Sequence, residues 1–186
     1  YIPGNRLGEN RTPNNWEPEA HIEAFLNPLV DNQYFTKEFI GEDTSGKYNV
    51  YKFTFEPQNY NKTLLITSCI HGNETTGFFD MCHILNLLVN QWEKYPQLTY
   101  LRKNVRLIYV PMVNPWGFAN QKRENVNNVD LNRNFDYNWK AGKGTDPDKS
   151  NFKGKSPFSE KESQNMRSLV QHIDNLTAHL DLHDII

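Results

Sequence analysis

The stretch TLLITSCIHGNE, residues 63–74, runs from apolar and small residues into a polar turn with a histidine and a glutamate three apart. So continuous an apolar run predicts a strand buried on both faces. Immediately afterwards the period changes. From Thr75 to about Tyr95, Phe78, Met81, Cys82, Leu85, Leu88, Val89 and Trp92 recur at three- and four-residue steps, which predicts an amphipathic helix. A buried strand feeding directly into a helix is the unit of an α/β layer structure. Outward from it, Val105 to Val113 predicts a second buried strand and Thr177 to Leu182 a last short one. Phe35 to Gly41 and Tyr48 to Phe55 predict a hairpin around Asp43-Thr44-Ser45-Gly46. Pro18 opens a short helix with Ile22, Phe25, Leu26 and Leu29 on one side. Glu160 to Ile173 reads as another, with Ser159 as N-cap and Glu162 completing a capping box. Residues 114–154 are polar and without period, the mark of a long functional loop. Residues 1–15 read as an extended arm and 16–186 as one domain, with no repeat or linker.

Composition narrows the class. Hydrophobic residues make up 37% and aromatics 13% of 186 residues, enough for a packed core and against a disordered chain. The 20 basic and 22 acidic residues nearly cancel, so no basic excess exists for nucleic acid or an anionic membrane. No apolar stretch approaches the roughly 20 residues that span a bilayer. We expect a soluble protein, with extracellular and virion-associated settings both compatible. Cys69 and Cys82 are too few for a disulfide framework or a cysteine-rich metal site, and both are expected as buried free thiols. Because the chain opens on Tyr1 rather than Met, we expect it to be a piece of a longer protein or assembly.

Polar residues of interest follow strands, where reactive groups gather in α/β sheets. His71-Gly72-Asn73-Glu74 places an imidazole and a carboxylate at one strand-to-helix turn, a donor pair that suits zinc. Taken alone the pattern is weak, since Glu74 could simply favour a helix N-terminus. Gly72 is expected to let the backbone turn sharply. His183 ends the last strand and is a candidate third ligand, with Asp181 and Asp184 suited to orient it. His179 lies at an even offset on the same strand face, so spacing leaves it a rival. The third group is Asn114-Pro115-Trp116-Gly117, Arg123, and Asp130-Leu131-Asn132-Arg133-Asn134-Phe135, a concentration of amides and guanidinium forks suited to a carboxylate or an oxyanion.

In this order the residues resemble the zinc metallocarboxypeptidases of the carboxypeptidase A type, from about Lys62 to His183, with Asp130 to Phe135 the most specific block. The resemblance implies a three-layer α/β/α fold with a mixed, mainly parallel sheet. It implies one zinc held by His71, Glu74 and His183, a substrate carboxylate held by Asn132 and Arg133, and a scissile carbonyl polarised by Arg123. The partner would be a peptide or cell-wall peptide with a free carboxylate. Trp116 departs from the family, where many relatives have Asp. The resemblance also implies a general-base glutamate and a substrate-binding tyrosine well beyond His183, whereas three residues follow it here. We therefore expect the N-terminal part of a catalytic domain, poorly active by itself. Two alternatives share these residues. One is a zinc aminoacylase of the aspartoacylase and succinylglutamate desuccinylase type, similar in His-Gly-Asn-Glu and Asp-Leu-Asn-Arg. The other is a non-catalytic module of a phage-tail or cell-wall protein.

Overall fold

The computed structural model describes residues 15–184, so the expected arm lies, but for its last residue, outside the described residues. The elements run α1 (Pro18–Phe25), β1 (Phe35–Glu42), β2 (Asn49–Phe55), β3 (Lys62–Ser68), α2 (Thr76–Asn90), α3 (Pro96–Asn104), β4 (Val105–Val110), α4 (Pro115–Asn120), α5 (Lys161–Gln171) and β5 (Leu176–Leu182). They form one five-stranded sheet in the order β1-β2-β4-β3-β5. β4 and β5 flank β3 in parallel, while β1–β2 and β2–β4 are antiparallel. The sheet is thus mixed, as expected, and among the described strands β2 alone runs against the other four.

Side-chain alternation along the central strands explains the layers. Leu64 and Ile66 of β3 join Leu107 and Tyr109 of β4 in a core packed under α1 and α2, around Phe25, Phe78, Cys82 and Leu85. Leu65, Ile108 and Val110 face the other way, onto Met166 and Leu169 of α5. Because successive strand residues point to opposite faces, one apolar run feeds two cores. Cys69 and Cys82 are buried free thiols, and burial pushes both above the ordinary thiol value.

Three local readings are corrected. The helix expected to Tyr95 ends at Asn90, and Pro96 starts a separate helix, α3, with no fully buried residue, so its apolar signal is faint. The Asn114–Gly154 loop contains α4 and a 3₁₀ turn at Leu131–Arg133. The capping box at Ser159 does not form. Glu160 is the N-cap residue without a side-chain cap. Ser159 Oγ instead donates to Glu160 Oε1, and Glu162 accepts from Thr44 N and Oγ1. A buried carboxylate bonded across the fold outcompeted the local cap.

Candidate metal centre

β3 ends at Ser68, and the chain turns out of the sheet at Cys69, which has φ 52°. The left-handed residue of the turn is therefore Cys69, not Gly72. Gly72 is needed for another reason: a Cβ there would lie 1.9 Å from the backbone carbon of Gly117 in α4. Asn114 caps α4 through Gly117 N at 2.9 Å and donates to Arg123 O, the same carbonyl that Gly72 N reaches at 3.4 Å. These contacts hold the loop carrying Arg123 against the turn carrying His71 and Glu74.

β5 pairs with β3 so that Thr67 opposes Asp181 and Ser68 opposes Leu182, which delivers His183 to the end of β3. One donor atom each from His71, Glu74 and His183 lies within 4.8 Å of the others. His71 Nδ1 is 2.8 Å from Glu74 Oε1, and His183 Nδ1 is 2.7 Å from Glu74 Oε2. His71 and Glu74 are 2% and 4% exposed, whereas a third of the His183 side chain meets solvent. His179 is held elsewhere, with Nε2 on Thr67 Oγ1 at 2.9 Å.

Proton counting shows what this arrangement accommodates. His71 Nε2 faces Asp130 Oδ1 at 3.1 Å, and His183 Nε2 faces Asp181 Oδ2 at 3.0 Å. An ionised carboxylate only accepts, so each ring lies between two acceptors, and a neutral imidazole has one N–H for the two. With Nε2–H on Asp130 and Asp181, both Nδ1 lone pairs point at Glu74. The mismatch is resolved by protonating both rings or by a cation between the three groups. Nitrogen and carboxylate oxygen at these separations suit zinc, whose tetrahedral ligand atoms sit about 3.3 Å apart. An opening of roughly half an ångström would admit it. The charges of the three groups lean on one another. Burial alone would raise the Glu74 carboxyl, but the bond to His183 and the charges of His71 and His183 hold it below its ordinary value. Burial lowers His183, and the Glu74 bond and the Asp181 charge outweigh it, so the imidazole titrates above its ordinary value.

Arg123 closes the buried side. Its Nη1 donates to Glu74 Oε1 at 2.9 Å, and its Nε and Nη2 donate to Asp130 Oδ2 at 3.3 and 3.2 Å. Asn132 and Arg133 follow Asp130 in the 3₁₀ turn, whose cap is Asp130 Oδ1 accepting from Asn132 N. Arg133 makes one described bond, to Asn132 O at 3.2 Å, and is otherwise exposed. Both residues open onto a cavity of about 600 Å³ that reaches Asp181 on β5.

A family model described as zinc carboxypeptidase matches residues 35–185, which takes in the whole constellation. The chain belongs to the zinc carboxypeptidase family. Among curated members of that name, carboxypeptidase M of Mus musculus is 43% identical over 75 residues, 36% of this chain and 17% of that protein. The inactive metallocarboxypeptidase ecm14 of Sclerotinia sclerotiorum is 23% identical over 66% of this chain and 24% of its own. The crystal structure of carboxypeptidase A from Helicoverpa armigera superposes with a TM-score of 0.78 at 24% identity, covering 91% of this chain and 46% of that one. In each case this chain accounts for less than half of the zinc carboxypeptidase it matches.

The sequence reading gave no role to two residues of this centre. Asp130 is 1% exposed and receives His71, Asn132 and Arg123. Burial would raise its carboxyl, yet the bond from His71 and the charges of His71, Arg123 and Arg133 hold it below its ordinary value. The expectation that a ligating histidine has a carboxylate behind it could have found it. Thr67 is the other, hidden inside an apolar run. Of the two acids suited to orient His183, Asp181 lies on its ring, while Asp184 accepts from Thr76 N at the start of α2.

Proposed function

We propose that this chain carries one zinc on His71, Glu74 and His183 and belongs to an enzyme that removes a C-terminal residue from a peptide or cell-wall peptide. The observation that carries the reading is the two histidine Nδ1 atoms facing one carboxylate, with Arg123 bonded to that carboxylate. When bound there, zinc supplies Lewis-acid polarisation and an acidified water. The chain's own residues supply the rest. Arg123 swings a guanidinium N–H from Glu74 toward a developing oxyanion once Glu74 is committed to the metal. Arg133, whose planar fork makes one bond among the described residues, takes the terminal carboxylate beside the Asn132 amide, and so selects the end of a chain. Asp130 keeps the His71 ring turned and its Nε2 protonated. Glu74, as a ligand, is not the base that accepts the water's proton.

The test is made on the full-length protein with zinc present. A free-acid peptide should lose its last residue, and the same peptide amidated should not. Arg133→Lys should raise KM about tenfold or more with little change in kcat, because an ammonium cannot reproduce the fork. Equal turnover of acid and amide would overturn the reading. A zinc-loaded full-length protein that cleaves neither would favour a second reading, a metal-binding but non-catalytic member. That reading has one specific support, the likeness to a relative named inactive.

A further inference from the structure

Both histidines of the centre have a carboxylate behind them, but the two carboxylates are anchored differently. Asp130 is buried among Arg123, Asn132 and His71. Asp181 lies on β5, an edge strand among the described residues, with 27% of its side chain exposed, and is held from the neighbouring strand. Thr67 and Asp181 are direct partners across β3 and β5, so sheet register puts their side chains side by side on one face.

Counting protons orders this group. The Thr67 hydroxyl has one proton, and it lies 2.6 Å from Asp181 Oδ1, which only accepts. The proton therefore belongs to that bond. His179 Nε2, 2.9 Å from the same hydroxyl, must then be the donor to it. Asp181 Oδ2 accepts from His183 Nε2 at 3.0 Å. The direction runs His179 to Thr67 to Asp181, with His183 donating from the other side. A neutral His183 that donates there has its Nδ1 bare and aimed at Glu74 Oε2. Each bond from His179 to Asp181 then has one donor and one acceptor, and the Asn132 amide nitrogen lies at the longer distance of 3.5 Å from His183 Nε2.

We propose that Asp181 is a positioning residue for the metal centre: anchored by the Thr67 hydroxyl, it holds the His183 ring in the Nε2–H tautomer and commits Nδ1 to the metal, with His179 as the outer end of the same row. The inference rests on the metal reading of His71, Glu74 and His183. It gives His179 a role on the far side of Thr67 rather than at the ion. It also accounts for the alternation of His179, Asp181 and His183 along β5 and the residue that follows it. Thr67 is 2% exposed, so its hydroxyl cannot turn to solvent for another partner.

The experiment uses the full-length protein and two readouts, zinc affinity by competition with a chelator and the His183 tautomer by imidazole ¹⁵N NMR at pH 9 without metal. Asp181→Ala should weaken zinc by about 10–100-fold, the usual effect of losing a partner behind a ligand. Asp181→Asn, which still accepts from His183 without the charge, should fall between. Thr67→Val should weaken zinc in the same direction, and Thr67→Ser should restore it. The metal-free wild type should show His183 as Nε2–H, and Asp181→Ala a mixture of tautomers. A wild type that binds no zinc defeats the metal reading, and the tautomer result then decides the positioning role alone. Zinc affinity of Asp181→Ala within twofold of a zinc-binding wild type, or a His183 protonated on Nδ1 in the wild type, overturns the proposal.

Discussion

Two polar clusters sit in this fold at low exposure, and they differ in how their hydrogen bonds close. Around Asn134, which is 0% exposed, donors face acceptors throughout. The two protons of its amide nitrogen are shared among Lys153 O, Ser156 O and Ser159 Oγ, and its amide oxygen accepts from Ser163 Oγ and Glu160 N. Around Glu74, by contrast, two histidine rings each lie between two carboxylates, so neutral rings leave one contact apiece without a proton. A network that closes on itself holds structure, here tying the loop of Asn132 and Arg133 to the start of α5. A network that ends in facing acceptors is built around something positively charged.

The contrast breaks first if metal loss does not follow the mismatched cluster. In the full-length protein, His71→Ala should take zinc from one per chain to none by elemental analysis, while His179→Ala keeps one. Full occupancy in the first or loss in the second would reverse the comparison. Next, Asn134→Ala should act on stability and leave the metal. It strands several buried partners at about 1–3 kcal/mol each, and with 2–4 °C per kcal/mol the melting temperature should fall by roughly 10 °C. Zinc affinity should stay within about threefold, and its collapse with stability intact would merge the two clusters into one. Zinc itself should then sharpen the difference. At a hundredfold excess over Kd it adds about 2.7 kcal/mol, a rise of roughly 5–10 °C by calorimetry. Asn134→Ala should keep that increment and His71→Ala should lose it.

The smallest expected effect belongs to Glu162, a buried carboxylate that accepts from Thr44 and Asn125 beside Glu160, on the closed side of the molecule. Burial, only partly offset by those bonds, raises its carboxyl above the ordinary value. The folded state therefore binds the proton more tightly than the unfolded chain. The stability this contributes is present at acid pH and lost as pH rises through the raised value. Glu162→Gln removes the dependence, so its melting temperature relative to wild type should improve from pH 4.5 to pH 8, by about 2–4 °C per kcal/mol. An unchanged difference across that range would show the carboxyl to be unperturbed.

Much of this was legible in the chain. The Thr63–Ile70 run, the helical period from Phe78 and the Val105 run gave strand, helix and strand in their observed order, because burial on both sheet faces and on one helix stripe writes distinct periods. Pro96 to Asn104 escaped because no residue of that helix is fully buried, leaving little period to read. The capping box at Ser159 misled because a local rule cannot see Thr44, 118 residues away from Glu162. At the candidate metal centre His71 and Glu74 stood out as a pair, whereas seeing that His183 rather than His179 comes beside them needed the register of β5 against β3. No helix among the described residues is long and apolar enough to cross a membrane, in keeping with the lack of such a stretch in the chain.

By itself the sequence determined the layers, the donor types and their order, since these follow from side-chain chemistry and from periods of two and 3.6 residues. The tertiary structure alone decided which nitrogen of each histidine faces Glu74, which acid stands behind each ring, and that Gly72 is a glycine because α4 passes against it. The contacts of Gly72 with Gly117, His71 with Asp130 and His183 with Glu74 join residues 45, 59 and 109 apart, brought together by strand register and loop packing. No local pattern carries that information, because a hydrogen bond's direction is set by whichever partner the rest of the fold leaves within reach.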